Sequence, residues 1–237
     1  MKTLKIGIIV ADIDEYKPLQ ERIEKGEFEN YEFLGRKGHK FPIKTQIGSA
    51  EIYSINCGIG KVNAAVIATH FKVIGCDIVL NYGLSGGISG VLKGELTLCS
   101  SFVEHDFDLT GIGYKPCEKP GQEYVYSSNE ELNKLFCQKI FKVKKGPAVS
   151  GDRFICDEES RIFFKENFGA MSCDMETAAI AYVCAFGGIP FLSLRRISDD
   201  AGSDAADSYR EMNTHANELL SDLILDFIPH IIDWKNC

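Results

Sequence analysis

Short, continuous apolar runs alternate along this chain with segments in which apolar residues recur every three or four positions. Runs of the first kind, rich in Ile and Val and bounded by polar residues or glycines, are typical of buried strands. One such region, Lys44–Cys57, is divided by a turn at Gly48-Ser49 into two predicted strands. The other predicted strands are Leu4–Ala11, Asp77–Tyr82, Leu96–Phe107, Pro147–Val149 and Pro190–Ile197.

Helical spacing of apolar residues predicts the elements between these strands, and local signals mark several helix ends. Pro18 suits the first turn of the first helix, and Ser128-x-x-Glu131 has the pattern of a capping box. Pro229 is expected to stop the last helix, whose apolar stripe is the most regular in the chain. The predicted helices run through Ile23 and over Lys61–Ile74, Leu132–Ile140, Asp174–Phe186 and Met212–Ile228.

Strands that alternate with helices predict an α/β fold, in which helices cover both faces of a mixed or mostly parallel sheet. The length of 237 residues suits one large domain, 1–237, because no linker-like segment divides the chain. In such folds, ligands bind beyond the carboxyl ends of the strands. The residues that follow each strand are therefore the first candidates for a functional site.

The charge balance excludes several classes of partner. The net charge is −8 at pH 7 and the pI is about 5.2. An acidic chain offers no basic surface to nucleic acid or to an anionic membrane. The sequence also contains no apolar run of about 18 residues, the length that is needed to span a bilayer. A small neutral ligand remains compatible with this composition.

The nine cysteines form no CxxC pair and have no zinc-site spacing with histidines. Several of them lie in apolar runs, where a thiol usually packs as a small hydrophobic group. This usage favours reduced thiols and a cytoplasmic location. Neither a metal nor an organic cofactor is expected.

Three acidic residues and one arginine lie beside predicted strand or helix ends and form the candidate reactive centre. Glu15 follows the first strand, Glu176 lies near a helix start, and Arg195 and Asp199 share one strand face. Each has a simpler explanation, because a carboxylate at a helix start can complement the helix dipole and Arg195 can pair with Asp199. Together, the four residues supply separated carboxylates for acid and base catalysis.

Two glycine-rich segments also follow strands, and neither fits a common phosphate-binding motif. Gly58-Ile-Gly-Lys61 lacks the upstream glycine and the following Ser or Thr of a P-loop, so a tight turn before a helix explains it. Gly83–Gly90 lacks the GxGxxG spacing, but its backbone can cradle a planar base or a sugar. Phe154 and Met175 can pack on such a ligand or belong to the core.

Five motifs follow Lys5-Ile-Gly-Ile-Ile9 in order along almost the whole chain. They are Gly58-Ile-Gly-Lys-Val-Asn-Ala-Ala65, Asn81-x-Gly-x-Ser-Gly-Gly87, Ser150-Gly-Asp-x-Phe-Ile155, Asp174-Met-Glu-Thr-Ala-Ala-Ile-Ala181 and Arg195-x-Ile-Ser-Asp199. In this combination the sequence resembles the 5′-methylthioadenosine/S-adenosylhomocysteine nucleosidases of the purine nucleoside phosphorylase/hydrolase superfamily. The resemblance implies a nucleoside phosphorylase-like domain with a partly barrel-like sheet. It also implies a purine nucleoside substrate and a homodimer, with the loop after Asp106 near the interface.

The resemblance further implies hydrolysis of an N-glycosidic bond with release of adenine. Asp199 would protonate N7 of the purine, Glu15 with Arg195 would position and deprotonate the attacking water, and Glu176 would bind the ribose hydroxyls. An acid at the base and a carboxylate near the sugar suit the charges that develop in this reaction. Further substrate-binding residues are implied at Met175 against the sugar, Phe154 and Ile155 at the base, Tyr209 over the ligand, and Ser198, Ser85 and Gly86.

Two residues depart from the family pattern and leave the 5′ substituent of the substrate open. Asp12 replaces an apolar residue near the 5′ side of the sugar, and Leu84 replaces a small hydroxyl residue near the water. Because an unpaired carboxylate is costly to desolvate beside a thioether, Asp12 either points into solvent or binds a polar 5′ group.

Two other functions remain as alternatives, a phosphate-dependent nucleoside phosphorylase and a non-catalytic nucleoside-binding protein. No arginine lies between Val10 and Lys17 or between Asn81 and Leu92, which favours water over phosphate as the nucleophile.

Overall fold

The computed structural model describes residues 3–215 and 218–236, and the strands in these ranges form one mixed sheet. In chain order they are β1 (Leu4–Val10), β2 (Glu29–Phe33), β3 (Arg36–Lys44), β4 (Ser49–Asn56), β5 (Ile78–Gly87), β6 (Leu96–Glu104), β7 (Val125–Ser127), β8 (Lys144–Ser150), β9 (Ser172–Asp174) and β10 (Phe191–Asp199).

Part of this sheet closes on itself. Strands β5, β9, β8, β6 and β10 form a ring, because β10 pairs with β6 on one side and with β5 on the other. From β5 the sheet continues through β1 and β4 to the antiparallel strands β3 and β2. The expected α/β fold with a mixed, partly barrel-like sheet is confirmed. Because β1, β5 and β10 are parallel, their carboxyl ends lie at one edge.

Helices cover the sheet on two sides. They are α1 (Ile13–Ile23), α2 (Lys61–Val73), α3 (Glu130–Lys139), α4 (Glu158–Phe168), α5 (Thr177–Gly187), α6 (Ala205–His215) and α7 (Glu218–Asn236). Helices α1, α3 and α7 share one apolar core, to which they contribute Leu19, Phe136 and Phe227. Helices α2 and α5 belong to a second core, with Phe71 and Ile180 among its buried members. No helix in the described ranges is long and apolar enough to cross a membrane.

The strand β5 is longer than the apolar run predicts, and the extension positions the site. Beyond Tyr82 it continues through the glycine-rich segment to Gly87, paired with β10 and, at its end, with β9. Glycines continue the strand here because neighbouring side chains occupy the space that a Cβ would need. At Gly87, a Cβ would lie 3.0 Å from Ile197 Cγ2.

Three local predictions about helix ends are wrong. The cap of α3 is Asn129, whose side chain accepts from the Leu132 N–H at 2.9 Å, whereas the Ser128 hydroxyl donates to a strand carbonyl. Pro18 lies near the middle of α1, because that helix begins earlier, after its cap at Asp12. Pro229 lies inside α7, where burial of Ile228 and its neighbours offsets the lost backbone hydrogen bond.

The apolar pattern does not predict the strands β2, β3, β7 and β9 or the helix α4. Of the two strands predicted within Lys44–Cys57, only the second is found, as β4, because residues 45–48 connect β3 to β4. Strand β2 lies at the sheet edge with no fully buried residue, and only Tyr31 and Phe33 pack toward the core, so its apolar signal is short. Helix α4 buries only Phe164 fully, and it therefore lacks an apolar stripe. The predicted last helix corresponds to two helices, with Met212 in α6 and the apolar stripe after it in α7.

Candidate active site

A pocket of about 750 Å³, including its open mouth, lies at the carboxyl ends of β1, β5 and β10. This is the edge at which parallel strands of α/β folds place their ligands. The structure brings all the predicted site residues to its wall: Glu15, Glu176, Arg195, Asp199, Met175, Phe154, Ile155, Ser198, Tyr209, Ser85 and Gly86. The wall also includes residues that the sequence did not nominate as binding residues, namely Ala11, Asp12, Ile59, Leu84, Arg153, Cys173 and Asp174.

Glu15 occupies the pocket interior from the first turn of α1. Its side chain is buried, and Oε1 accepts a hydrogen bond from the Leu84 N–H at 2.8 Å. Burial raises the pKa of Glu15 to about 8, although the Leu84 N–H and Arg195 favour its ionised form. A carboxylate that only complemented a helix dipole would have a lowered pKa, so the dipole does not dominate at Glu15.

Gly83 lies beside both Glu15 and Arg195. A Cβ at position 83 would lie 2.5 Å from Arg195 Nη1 and 2.7 Å from Glu15 Oε2. The glycine therefore leaves room for the carboxylate and the guanidinium beside the β5 backbone. Sequence reasoning placed Gly83 in a glycine cradle for a ligand, whereas the structure shows that it accommodates two protein side chains.

Arg195 is fixed from behind by a buried network. Its Nε lies 3.3 Å from Asp174 Oδ2, and its Nη2 donates to Asn81 Oδ1 and Thr177 Oγ1. Burial opposes the ionisation of Asp174, but Arg195 and neighbouring hydroxyls lower the pKa of that carboxyl. The simpler explanation of an Arg195–Asp199 salt bridge is wrong, since the ion pair of Arg195 in the described structure is with Asp174.

Asp174 is the functional residue that sequence reasoning undervalued, because it was read only as a helix cap. It does accept from the Glu176 and Thr177 N–H groups, each at 3.0 Å, and also from the Ser150 hydroxyl at 2.6 Å. The same carboxylate neutralises Arg195. The sequence signal for a role in the site was the position of Asp174 in the Asp174-Met-Glu motif. Its ion-pair partner, Arg195, lies 21 positions away and could not be inferred from spacing.

Glu176 lies across the pocket at the start of α5. Its Oε1 accepts from the Gly60 N–H at 2.8 Å, at the amino end of α2. Burial, and next the negative charge of Asp174, raise the pKa of Glu176 to about 7. Gly58-Ile-Gly-Lys61 is thus a turn before a helix, as expected, and it also holds this carboxylate.

Asp199 ends β10 at another side of the pocket. Its Oδ2 accepts from the Ser198 hydroxyl at 2.6 Å and its Oδ1 from the Ala201 N–H at 2.8 Å. Burial nevertheless raises the pKa of Asp199, which favours the protonated form. Gly86 packs closely here, because a Cβ at that position would lie 3.0 Å from both Asp199 Oδ1 and Cys173 Sγ.

Two aromatic rings form part of the wall near the mouth. Phe154 and Tyr209 pack edge to face, with ring centroids 5.7 Å apart. Phe154 is 39% exposed, which excludes the alternative that it is a core residue. The Ile155 side chain is buried behind it, while Met175 is half-buried. This arrangement leaves ring faces and edges available for a planar ligand.

The two residues that depart from the family pattern have different surroundings. Asp12 caps α1 through Oδ1, while its Oδ2 accepts from the Tyr209 hydroxyl at 3.0 Å and from Asn213 Nδ2 at 3.5 Å. Leu84 is buried and packs in the core, and its N–H is the donor to Glu15. A leucine in place of the family's small hydroxyl residue therefore does not remove the backbone hydrogen bond from position 84 to Glu15.

Within the described ranges, no three His, Cys, Asp or Glu side chains are grouped as a metal ion would require. The polar groups on the pocket wall include carboxyl groups, the Arg195 guanidinium and backbone N–H groups. Three carboxyl groups in the pocket, Glu15, Glu176 and Asp199, have raised pKa values, which suits proton transfer near neutral pH.

Comparison with known proteins shows that this sequence is similar to nucleosidases of one superfamily. The sequence matches the phosphorylase superfamily over residues 5–229. It is 32% identical over 243 residues to a 5′-methylthioadenosine/S-adenosylhomocysteine nucleosidase of Geobacillus sp. (strain WCH70), covering 96% of this chain and 99% of that protein. It is also 30% identical to an aminodeoxyfutalosine nucleosidase of Campylobacter jejuni, with 94% and 97% of the two chains covered.

Solved structures show the same likeness. An Asp-to-Asn mutant of a Helicobacter pylori nucleosidase, with 5′-methylthioadenosine in its active site, matches this fold with a TM-score of 0.89 and 26% identity. The match covers 96% of this chain and 99% of that one. The native futalosine hydrolase of H. pylori matches with a TM-score of 0.88 and 27% identity, covering 96% and 98% of the two chains.

Proposed function

The chain belongs to the 5′-methylthioadenosine/S-adenosylhomocysteine nucleosidase family of the phosphorylase superfamily, and we propose that it hydrolyses the N-glycosidic bond of such adenine nucleosides. The observation that carries this proposal is the meeting of Glu15, Glu176, Arg195 and Asp199 in one pocket. Cleavage of this bond builds positive charge on the ribose and negative charge on the base. The enzyme must therefore donate a proton to the base and place negative groups near the sugar.

Asp199 is the proton donor in this proposal. Its raised pKa favours the protonated carboxylic acid, which can transfer a proton to N7 of the purine as the bond to ribose breaks. The Ser198 hydroxyl and the Ala201 N–H then stabilise the carboxylate that remains. Phe154 supplies an apolar surface for the base, and Ile155 and Gly86 bring backbone close to its edge.

Glu15 is the proton acceptor for the attacking water. A pKa of about 8 makes its ionised form a strong base near the operating pH, as efficient general base catalysis requires. The Leu84 N–H holds one carboxylate oxygen, and the positive charge of Arg195 favours the ionised form of the same group. The pair therefore presents one carboxylate edge to a water molecule.

Glu176 binds the ribose in this scheme. The Gly60 N–H fixes its Oε1, so that the rest of the carboxylate can accept from the sugar hydroxyls. Its negative charge also stabilises the positive charge that builds on the ribose. Met175, the preceding residue, packs against the apolar face of the sugar.

The charges around the pocket favour water over phosphate as the nucleophile. Arg153 and Arg195 are the cations on the described wall, and each is already paired, with Asp157 and Asp174 respectively. A phosphate ion would meet these occupied arginines and the carboxylates of Glu15 and Glu176. Nucleoside phosphorolysis is therefore disfavoured.

Turnover assays test the proposal directly. The purified protein is incubated with 5′-methylthioadenosine, S-adenosylhomocysteine, aminodeoxyfutalosine, adenosine and inosine, with and without phosphate. We expect release of free adenine and free sugar without phosphate. Strict dependence on phosphate, or a sugar phosphate product, would show a phosphorylase instead. Binding of adenine nucleosides without any release of base would show a binding protein.

A homodimer belongs to the same proposal. Ile59, on the pocket wall, is 52% exposed, and Val62 and Ile112 are each 73% exposed. Lys61 joins the start of α2 to the loop after β6 through Asp106 at 2.5 Å, so this apolar surface adjoins that loop. Exposed apolar groups of this kind favour association. Light scattering should give the mass of a dimer, and Val62→Asp should lower it to that of a monomer.

We also propose that the enzyme works in the cytoplasm and serves methionine salvage. The cysteines in the described ranges are free thiols, and most are buried, which suits a reducing compartment. Hydrolysis of methylthioadenosine would return its methylthio group for reuse. Fractionation of the native cells and growth on methylthioadenosine as the sulfur source test these two statements.

A further inference from the structure

Asp12 and Tyr209 form a polar contact at one part of the pocket wall that the proposed mechanism does not use. The Tyr209 hydroxyl donates to Asp12 Oδ2 at 3.0 Å, and Asn213 Nδ2 lies 3.5 Å from the same oxygen. These contacts join the start of α1 to α6 across the pocket. Both Asp12 and Tyr209 line the cavity and are only partly buried.

The position of this pair relative to the reacting groups identifies what it faces. Asp12 and Glu15 both lie at the start of α1 and both line the cavity, so the pair lies on the Glu15 side of the pocket. Asp199, by contrast, lies against Gly86 and Cys173. In a nucleoside, the base is attached at C1′ and the 5′ carbon at C4′, on either side of the ring oxygen, so they extend from the two ends of the sugar. With the base at Asp199 and the ribose between Glu15 and Glu176, the 5′ substituent points toward Asp12.

Asp12 also brings negative charge to this end, with no cation among its hydrogen-bond partners in the described structure. Its partners in the described structure are the Asp14 N–H, the Tyr209 hydroxyl and the Asn213 amide, none of which is positively charged. The two arginines of the wall are paired with other carboxylates. A carboxylate accepts about four hydrogen bonds, so Asp12 retains capacity for one more donor.

We infer that Asp12, held by Tyr209, is a specificity residue that selects nucleosides with a protonated amine in the 5′ substituent over those with a neutral thioether. The inference rests on the proposed function, because that function fixes which end of the pocket holds the base. S-adenosylhomocysteine has such an amine and 5′-methylthioadenosine lacks one. An ammonium gains a charge-assisted hydrogen bond from Asp12, whereas a methylthio group desolvates the carboxylate without replacing its lost hydration.

Asp12→Asn tests this inference without removing the helix cap. Asparagine caps helices about as well as aspartate, so α1 is retained while the charge is lost. Asp14→Asn is the matched control. It removes the same negative charge two residues away, at a side chain that is exposed and pairs with Lys17. The probes are 5′-amino-5′-deoxyadenosine, S-adenosylhomocysteine and 5′-methylthioadenosine, and kcat/KM is measured for each.

We expect Asp12→Asn to lower the ratio of kcat/KM for the amine over the thioether by about ten- to a hundredfold. The amine should be cleaved more slowly and the thioether faster, mainly through KM, and S-adenosylhomocysteine should change less than the amine because its ammonium lies beyond the sulfur and next to a carboxylate. Asp14→Asn should leave the ratio unchanged. An unchanged ratio in Asp12→Asn, or the same fall in both variants, would overturn the inference while leaving the nucleosidase activity established.

If the protein releases no base, the affinities of the same nucleosides, measured by calorimetry, test the role of Asp12 instead. Loss of turnover with every nucleoside would overturn the proposed function alone. Tighter binding of the amine than of the thioether, reversed or abolished by Asp12→Asn, would then still support the role of Asp12. Equal affinity for both nucleosides would overturn it.

Discussion

Glu15 and Asp12 are one helical turn apart at the start of α1, and their surroundings give them opposite properties. Glu15 is buried in the pocket interior, where a backbone N–H and a guanidinium compensate only part of its desolvation, and its pKa rises to about 8. Asp12 lies at the partly exposed wall, with a tyrosine hydroxyl and an amide as partners. The two carboxyl groups of one helix start thus differ in depth: the pKa of Glu15 is raised by burial, whereas Asp12 lies at the partly exposed wall.

The largest effect should come from the interior carboxylate. Glu15→Gln keeps the size of the side chain but cannot accept a proton, so we expect kcat to fall by about 10²- to 10⁴-fold. Nucleoside affinity should remain within a few-fold, as measured by calorimetry beside an adenine-release assay. Retention of more than a tenth of wild-type kcat would show that Glu15 is not the proton acceptor.

Displacing the interior pair, without changing its chemistry, should have the next largest effect. In Gly83→Ala, the new Cβ would push Glu15 and Arg195 apart, and an error of about 1 Å in position costs about 10²-fold in rate. Gly26→Ala is the control, because the nearest atom to its added Cβ would be the Ile23 carbonyl oxygen at an ordinary contact distance of 3.6 Å. Equal activity in the two variants would contradict the tight placement of the pair.

The pH dependence of stability should reveal the cost of burying Glu15. Its folded pKa of about 8 lies above the ordinary value of 4.5, so the folded state binds more protons between these values and becomes less stable as pH rises. The Glu15→Gln variant has no titrating group at this position and therefore does not lose this stability as pH rises. Relative to wild type, it should gain up to about 1.4 kcal/mol per pH unit from pH 5 to 8 in urea unfolding. Parallel stability curves would refute the raised pKa.

The smallest effect is expected at the wall. Tyr209→Phe removes the hydroxyl that donates to Asp12 but keeps the ring against Phe154. One such hydrogen bond contributes about 0.5–1.5 kcal/mol, so nucleoside KM should change by less than about tenfold while kcat stays near wild type. A fall in kcat comparable to that of Glu15→Gln would show that Tyr209 takes part in the reaction itself. The pocket interior at Glu15 and the wall at Asp12 would then not differ in function.

Local sequence patterns predicted much of the fold, and their failures share a cause. Buried strands such as Leu4–Val10 are visible because both faces are apolar, whereas β2 and α4 bury too little to give a periodic signal. Pro229 breaks helices in isolation, yet burial of its apolar neighbours sustains α7. Packing overrides local propensity wherever enough apolar area is buried.

By itself, the sequence determined the alternation of strands and helices, the acidic net charge and the ordered motifs that carry the four charged residues. It could place those residues at strand ends because strand direction and side-chain alternation are local properties. Only the tertiary structure decided the partners: Arg195 with Asp174, Glu176 with the Gly60 N–H, and Asp12 with Tyr209. Partners and depth of burial depend on residues far apart in the chain, and they set the pKa values on which the chemistry rests.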